Sequence, residues 1–234
     1  MRYDYKSALI VGAGSGLSAS ISRLFHREGG MRIGLAARDV GKLNALAMAT
    51  DGVVYPCDAT QPDEVEALFE SMDNALGGPP DVVVYNASAR ARGPFIELGR
   101  EAVERALAVT AYGGFLVAQA AAKRMCAKGY GAILFTGASA SVKGYAQSAP
   151  FAMSKFALRG LAQSMARELA PQGIHVAHFV IDGGIRSASR AEPPGAPDSL
   201  LDPDAIARTY LDVLGQDRSA WTWEIELRPW VERF

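Results

Sequence analysis

Ala8-Leu9-Ile10-Val11-Gly12-Ala13-Gly14-Ser15-Gly16-Leu17-Ser18 is the stretch on which the reading of this chain turns. Four apolar residues in succession suit a short strand covered on both faces. The glycines then break the strand, and a helical pattern follows to about Glu28, before Gly29-Gly30. A glycine-rich turn between strand and helix lets backbone N–H groups and the positive helix N-terminus approach a pyrophosphate closely. Gly12, Gly14, Ser15, Gly16 and Leu17 are therefore candidate pyrophosphate contacts. The strict G-x-G-x-x-G fingerprint is not met, because Leu17 stands where its last glycine would fall.

Outward from this turn the same rhythm repeats. Apolar runs at 31–37, 53–57, 81–85, 132–135 and 174–181 read as further strands, and 223–227 as an alternating seventh. Helical patterns fill the intervals: 41–49, a helix opening at Pro62, a long helix over about 100–128, and one from Phe151 to about Ala170. Pro62 suits a first helical turn, and Asp63, Glu64 and Glu66 are placed near its positive end. Strands alternating with helices predict an α/β architecture with a parallel sheet of about seven strands and helices on both faces. With 234 residues the chain is read as one domain, 1–234. Residues 187–203 carry Pro193, Pro194, Gly195 and Pro197, which exclude a long helix or interior strand. That segment is expected on the surface, and its place after the sixth strand suits a lid over a cleft.

Composition narrows the partners. Apolar residues make up 49%, charged residues 21%, and the net charge is −1. Nothing here favours nucleic acid or an anionic membrane surface. Cys57 and Cys126 match no metal or redox spacing and suit free thiols in a reducing cytoplasm. The polar start, Met1-Arg-Tyr-Asp-Tyr-Lys, has no signal-peptide core, and no run is long enough for a membrane span. His175 and His178 read as sheet-edge or satisfied core residues, and no spacing suggests a metal site. The tail holds Trp221, Trp223 and Trp230, read as edge packing or a subunit contact.

Phe151-Ala-Met-Ser-Lys155 places an aromatic ring and a lysine at i, i+4, on one helical face. Together with the Gly-rich first turn, it resembles the short-chain dehydrogenase/reductase family, whose signature is Tyr-x-x-x-Lys. The family spacing G-x-x-x-G-x-G fits at Gly12 and Gly16, with Ser18 in place of the last glycine. Cys57-Asp58-Ala59 resembles the family's contact to the adenine ring. Asn86-Ala87-Ser88 resembles its Asn-Asn-Ala-Gly motif. Asp182-Gly183-Gly184-Ile185-Arg186-Ser187 resembles its Pro-Gly segment, where Ile185 would hold the nicotinamide amide and Ser187 replaces a threonine. The resemblance spans about 6–187 and implies a Rossmann-like doubly wound sheet binding a nicotinamide dinucleotide. An NAD enzyme usually ends its second strand in a carboxylate, whereas here Ala37 is followed by Arg38. A guanidinium can pair with a 2′-phosphate, so NADP is the expected cofactor, with NAD possible.

The catalytic places diverge. Matching without gaps puts Thr110 at the family's Asn, Ala138 at its Ser and Phe151 at its Tyr, so that only Lys155 remains. Phenylalanine keeps the ring and loses the proton that the family's tyrosine trades with substrate. Ser139, one residue away, is the candidate replacement hydroxyl; Ser141, Tyr112 and Tyr145 read as structural or solvent-facing. Lys155 is expected on the nicotinamide ribose, its alternative being a helix-surface lysine. The implied function is an NADP(H)-dependent oxidoreductase with a degenerate centre, acting on a small carbonyl, alcohol or conjugated C=C substrate. The alternative is a catalytically silent dinucleotide-binding sensor or partner protein. The resemblance also implies a homodimer or homotetramer pairing through the helices near 100–128 and 150–170.

Overall fold

The computed structural model describes residues 4–232, so Met1–Tyr3 of the polar start lie outside the described residues. Seven strands form one sheet: β1 (Ser7–Val11), β2 (Arg32–Ala37), β3 (Val53–Pro56), β4 (Val82–Tyr85), β5 (Gly131–Thr136), β6 (Ile174–Ile181) and β7 (Glu224–Leu227). Every adjacent pair is parallel and the order is β3-β2-β1-β4-β5-β6-β7. The chain runs one way from β1 to β3, then crosses back to β4 on the other side of β1. A crevice therefore opens at the carboxyl ends of β1 and β4, where connections diverge to opposite sides.

Alternation along the strands sorts the core into two layers. Ala8 and Ile10 of β1 pack with α1 (Leu17–Arg27) and α7 (Pro203–Leu214), through Ile21, Phe25, Tyr210 and Leu211. Leu9 and Val11 face the other way, toward α3 (Pro62–Leu76), α5 (Gly113–Lys128) and α6 (Ala149–Leu169). The doubly wound sheet expected from the sequence is thus the one observed. α2 (Asn44–Thr50) follows β2, and α3 starts at Pro62 with Asp63 and Glu64 in its first turn. Among the described residues no helix is long and apolar enough to cross a membrane.

The long helix expected over 100–128 is divided. α4 (Arg100–Leu107) and α5 are separated by a π-helical turn, Ala108–Tyr112. The cause is a set of competing partners: the Tyr85 hydroxyl donates to Val109 O, and the Ala89 N–H donates to Thr110 Oγ1 at 3.2 Å. A Cβ on Gly113 would lie 2.6 Å from the Tyr85 hydroxyl, so glycine lets the helix come this close to β4. Composition and periodicity carry no sign of such a widened turn, because it depends on side chains from a distant strand.

The 187–203 segment lies largely exposed after β6. A Ser187–Arg190 turn and an Ile185–Leu201 bridge tie it down beside the crevice. The three tryptophans divide: Trp221 stacks on His175 with centroids 4.6 Å apart, Arg159 lies over Trp223, and Trp230 is exposed, donating to Asp198.

Candidate active site

Two cavities meet at the crevice, sharing Asn86 and Ser88. The first, about 240 Å³, is lined by Gly12, Ala13, Ala37, Arg38, Lys42, Asp58, Ala59 and Ala87 among others. The second, about 250 Å³, is lined by Leu17, Arg90, Thr136, Ala138, Phe151, Lys155, Gly183, Ile185 and Arg190 among others.

The turn between β1 and α1 shows why its glycines are needed. Gly12 has φ +82°, and a Cβ there would fall 2.4 Å from Ala87 N. Asn86 reinforces this contact: its N–H donates to Val11 O at 2.8 Å and its amide to Gly12 O at 3.2 Å. A Cβ on Gly14 or Gly16 would meet no protein atom within 4 Å, so their bare backbone faces open space beside the start of α1. This is the kind of cradle that a pyrophosphate fits. Ser18 does more than replace a glycine. The Gly14 N–H donates to Ser18 Oγ at 2.9 Å, and the Ser18 hydroxyl donates back to Gly14 O at 3.2 Å. The pair forms a clasp that fixes the turn, and Ser18 is buried.

At the end of β2 Arg38 is exposed on the first cavity, with Lys42 on the same lining. The neighbouring Asp39 accepts the Gly41 N–H at 3.1 Å. Asp58 accepts from both the Thr60 N–H (3.0 Å) and hydroxyl (2.9 Å). Burial raises its pKa, but these bonds and the Arg38 and Arg105 charges outweigh that and hold it below the usual carboxylate range.

The structure brings Ala138, Phe151 and Lys155 onto one cavity wall. It does not bring Ser139 there. Ser139 opens a short helical turn, Ser139–Ser141, and is outside the lining. Ser141, two residues on, is the hydroxyl turned toward Ala138, whose N–H it accepts at 3.2 Å. Thr110 is fully buried and spent on Ala89 N. Ser187 is exposed and paired with Ser189, so the nicotinamide contact expected of it has no geometric support, unlike those of Gly183 and Ile185.

Lys155 is no surface lysine: it is 3% exposed. Its ammonium donates to Thr136 O at 2.6 Å and lies 5.9 Å from the Phe151 ring centroid. Burial first, and the Arg90 charge second, push its pKa down to about 7. Behind this wall runs a buried polar chain. His178 Nδ1 bonds Glu224 at 3.1 Å, and Arg159 grips the same carboxylate through 2.6 and 2.8 Å bonds. Ser141 Oγ lies 3.3 Å from His178 Nε2. Burial holds the His178 pKa down to about 4. The neutral ring then donates from Nδ1 and accepts the Ser141 hydroxyl, which in turn anchors the Ala138 backbone. Ser141 is fully buried, so this Ser-His-Glu row anchors the loop after β5 and has no access for nucleophilic work. Lys42, Arg90 and Arg190 were not singled out from the sequence; the run Ser88-Ala-Arg90-Ala-Arg92 after β4 was the available signal for one of them.

Comparison with known proteins agrees with this geometry. A family model described as short chain dehydrogenase matches residues 6–192. An uncharacterised oxidoreductase of Staphylococcus aureus is 29% identical over 227 residues, covering 96% of this chain and 97% of that protein. The crystal structure of a short-chain dehydrogenase from Rhodopseudomonas palustris superposes with TM-score 0.81 at 34% identity, over 96% of this chain and 99% of that one. A metagenomic short-chain oxidoreductase crystallised in complex with NADP gives TM-score 0.80 at 28% identity, over 96% and 97%.

Proposed function

This chain belongs to the short-chain dehydrogenase family, and from that premise we propose that it is an NADP(H)-dependent oxidoreductase of a small carbonyl, alcohol or conjugated C=C substrate, with Lys155 as the proton-transferring group. The residues present fit a nicotinamide dinucleotide: the N–H groups of Ser15, Gly16 and Leu17 at the start of α1, with no side chain at Gly14 or Gly16 to shield them, would receive the pyrophosphate, while Ser18 holds the Gly14 N–H. Asp58 and Ala59 would flank the adenine, and Gly183 and Ile185 the nicotinamide. Arg38 and Lys42, side by side on the first cavity, favour a 2′-phosphate over a bare hydroxyl. Such a cofactor, when bound, supplies or accepts a hydride.

The observation that carries the proposal is Lys155. Phe151, at the family's tyrosine place, has no proton to give, and Ser139 is out of reach. Lys155 lines the same cavity with a pKa near neutrality, the range in which a general acid both holds its proton and releases it. In reduction its ammonium would protonate the substrate atom left with negative charge, and Thr136 O would hold the resulting amine in place. A rival reading, a silent dinucleotide-binding protein, is favoured by the absence of a phenol from the lining. NADPH consumption against a panel of carbonyls and enals separates them. The enzyme reading expects turnover that falls as pH rises above about 7 and is lost in Lys155→Met. No turnover with any acceptor, alongside tight NADPH binding, would establish the silent protein instead.

We further propose that the chain pairs with a second copy across α4, α5 and α6, where Tyr112, Phe115, Met153 and Phe156 are exposed. The whole chain is read as one domain around its single seven-stranded sheet. Free Cys57 and Cys126 suit a cytoplasmic setting.

A further inference from the structure

The charges around the Lys155 cavity narrow the substrate. Among the described residues three cationic side chains, Arg90, Lys155 and Arg190, line it and no carboxylate does. They arrive from three separate places: the loop after β4, helix α6, and the segment after β6. Neither arginine is among the ion-paired cations of the described residues. On this shared lining their charges oppose one another: burial first, then the Arg92 and Arg190 charges, lower the Arg90 pKa, and the Arg90 charge adds to burial at Lys155. Like charges gathered around one cavity are unfavourable until an anion joins them.

Phe151 gives this cluster its geometry. The Arg90 guanidinium carbon lies 4.3 Å from the Phe151 ring centroid. Stacking occupies the face of the guanidinium and leaves its edge N–H groups for a planar, bidentate acceptor. Arg190 reaches the same space from the far side, its side chain packed against Gly184, where a Cβ would meet its guanidinium at 3.1 Å. The ring at position 151 thus serves as an apolar platform for a cation.

We propose that Arg90, stacked on Phe151, and Arg190 together bind a carboxylate of the substrate, so that the substrate is a small organic acid whose reducible group lies beside Lys155. This rests on the oxidoreductase reading above. It assigns the 187–203 segment a task, since Arg190 is delivered by it.

The test is calorimetric titration of the full chain, saturated with NADP+ so that no hydride is available, using crotonate and crotonamide, which share a shape and differ in charge. Crotonate is expected to bind at least about tenfold more tightly than the amide, a difference of roughly 1.4 kcal/mol. That preference should vanish in Arg90→Gln and in Arg190→Gln and persist in part in Arg90→Lys, with NADP+ affinity unchanged in all three. Thermal unfolding of each variant checks that the fold is intact; should one fail to fold, the acid-to-amide ratio of the wild type and the remaining variants decides. Equal binding of acid and amide, binding of neither, or a preference that survives both glutamine variants would overturn the proposal. So would weakened NADP+ binding in Arg90→Gln, because the arginine would then serve the cofactor's pyrophosphate. A wild-type chain that binds no NADP+ would refute the parent reading, and this one with it. Binding of NADP+ without any acid preference refutes this one alone.

Discussion

Lys155→Met should make the free protein more stable at neutral pH while weakening its hold on cofactor. The lysine titrates at about 7 in the folded chain against an ordinary value of 10.5. Between those values the unfolded chain holds a proton that the folded chain has released, so stability falls as pH drops from 10.5 to 7. At about 1.36 kcal/mol per unit, the accumulated cost at pH 7 is roughly 4 kcal/mol. Methionine keeps the apolar stem and escapes this cost, but it leaves Thr136 O without its donor, a loss of about 1–3 kcal/mol. The net gain is then about 1–3 kcal/mol at pH 7, or roughly 2–10 °C in Tm for a chain of this size. By pH 10 the lysine cost has shrunk below about 1 kcal/mol, and the variant should become the less stable protein. Urea denaturation of both proteins at pH 7, 8, 9 and 10 reads the crossing. Other titrating groups, such as the buried tyrosines, are common to both and cancel in the difference. A difference that stays flat across this range, or a variant already weaker at pH 7, would refute the assignment of Lys155 as a desolvated, near-neutral amine. NADPH titration of the same pair is expected to show weaker binding in the variant.

Three further outcomes follow from other parts of the site. Arg38→Ala should weaken NADPH binding by about one to two decades, the loss of a charge-assisted pair of roughly 1.5–3 kcal/mol, and leave NADH nearly unchanged; equal wild-type affinity for both cofactors in a fluorescence titration would contradict this. Phe151→Tyr alone should not create a strong carbonyl reductase, because Ala138 and the spent Thr110 offer the new phenol no hydroxyl neighbour; steady-state kinetics approaching the roughly 10²–10⁴-fold of general acid catalysis would overturn that. Below pH 6.5 the unfolded chain protonates its histidines while buried His178 stays neutral to about 4, so this residue should withdraw roughly 3 kcal/mol of stability between those values. His175 adds to the same limb, its pKa also lowered by burial. Denaturation midpoints that are flat from pH 6.5 to 4.5 would show that His178 is protonated in the fold.

The layout of the sheet was legible because its determinants are local. Apolar runs such as Val82–Tyr85 and turn residues such as Gly12, Gly77 and Gly129 act within a few positions of where they stand. The Gly-rich turn, Arg38, Asp58, Asn86 and Lys155 could be picked out for the same reason: each is tied to the end of a strand or the face of a helix. That Phe151 has no proton to give is likewise plain without a fold, since it holds in any conformation. What the sequence alone did not decide depends on partners far along the chain. The π-turn at Ala108–Tyr112 needs Tyr85 and Ala89. The inward place of Ser141 rather than Ser139 needs His178, itself set by Glu224 and Arg159. The burial of Lys155, and with it a pKa near 7, needs the surroundings that α6 shares with β5 and Arg90. Arg90 and Arg190 are a hundred positions apart, and nothing in the sequence joins them. Only folding sets them on one cavity, and the proposal of a bound carboxylate rests on that placement.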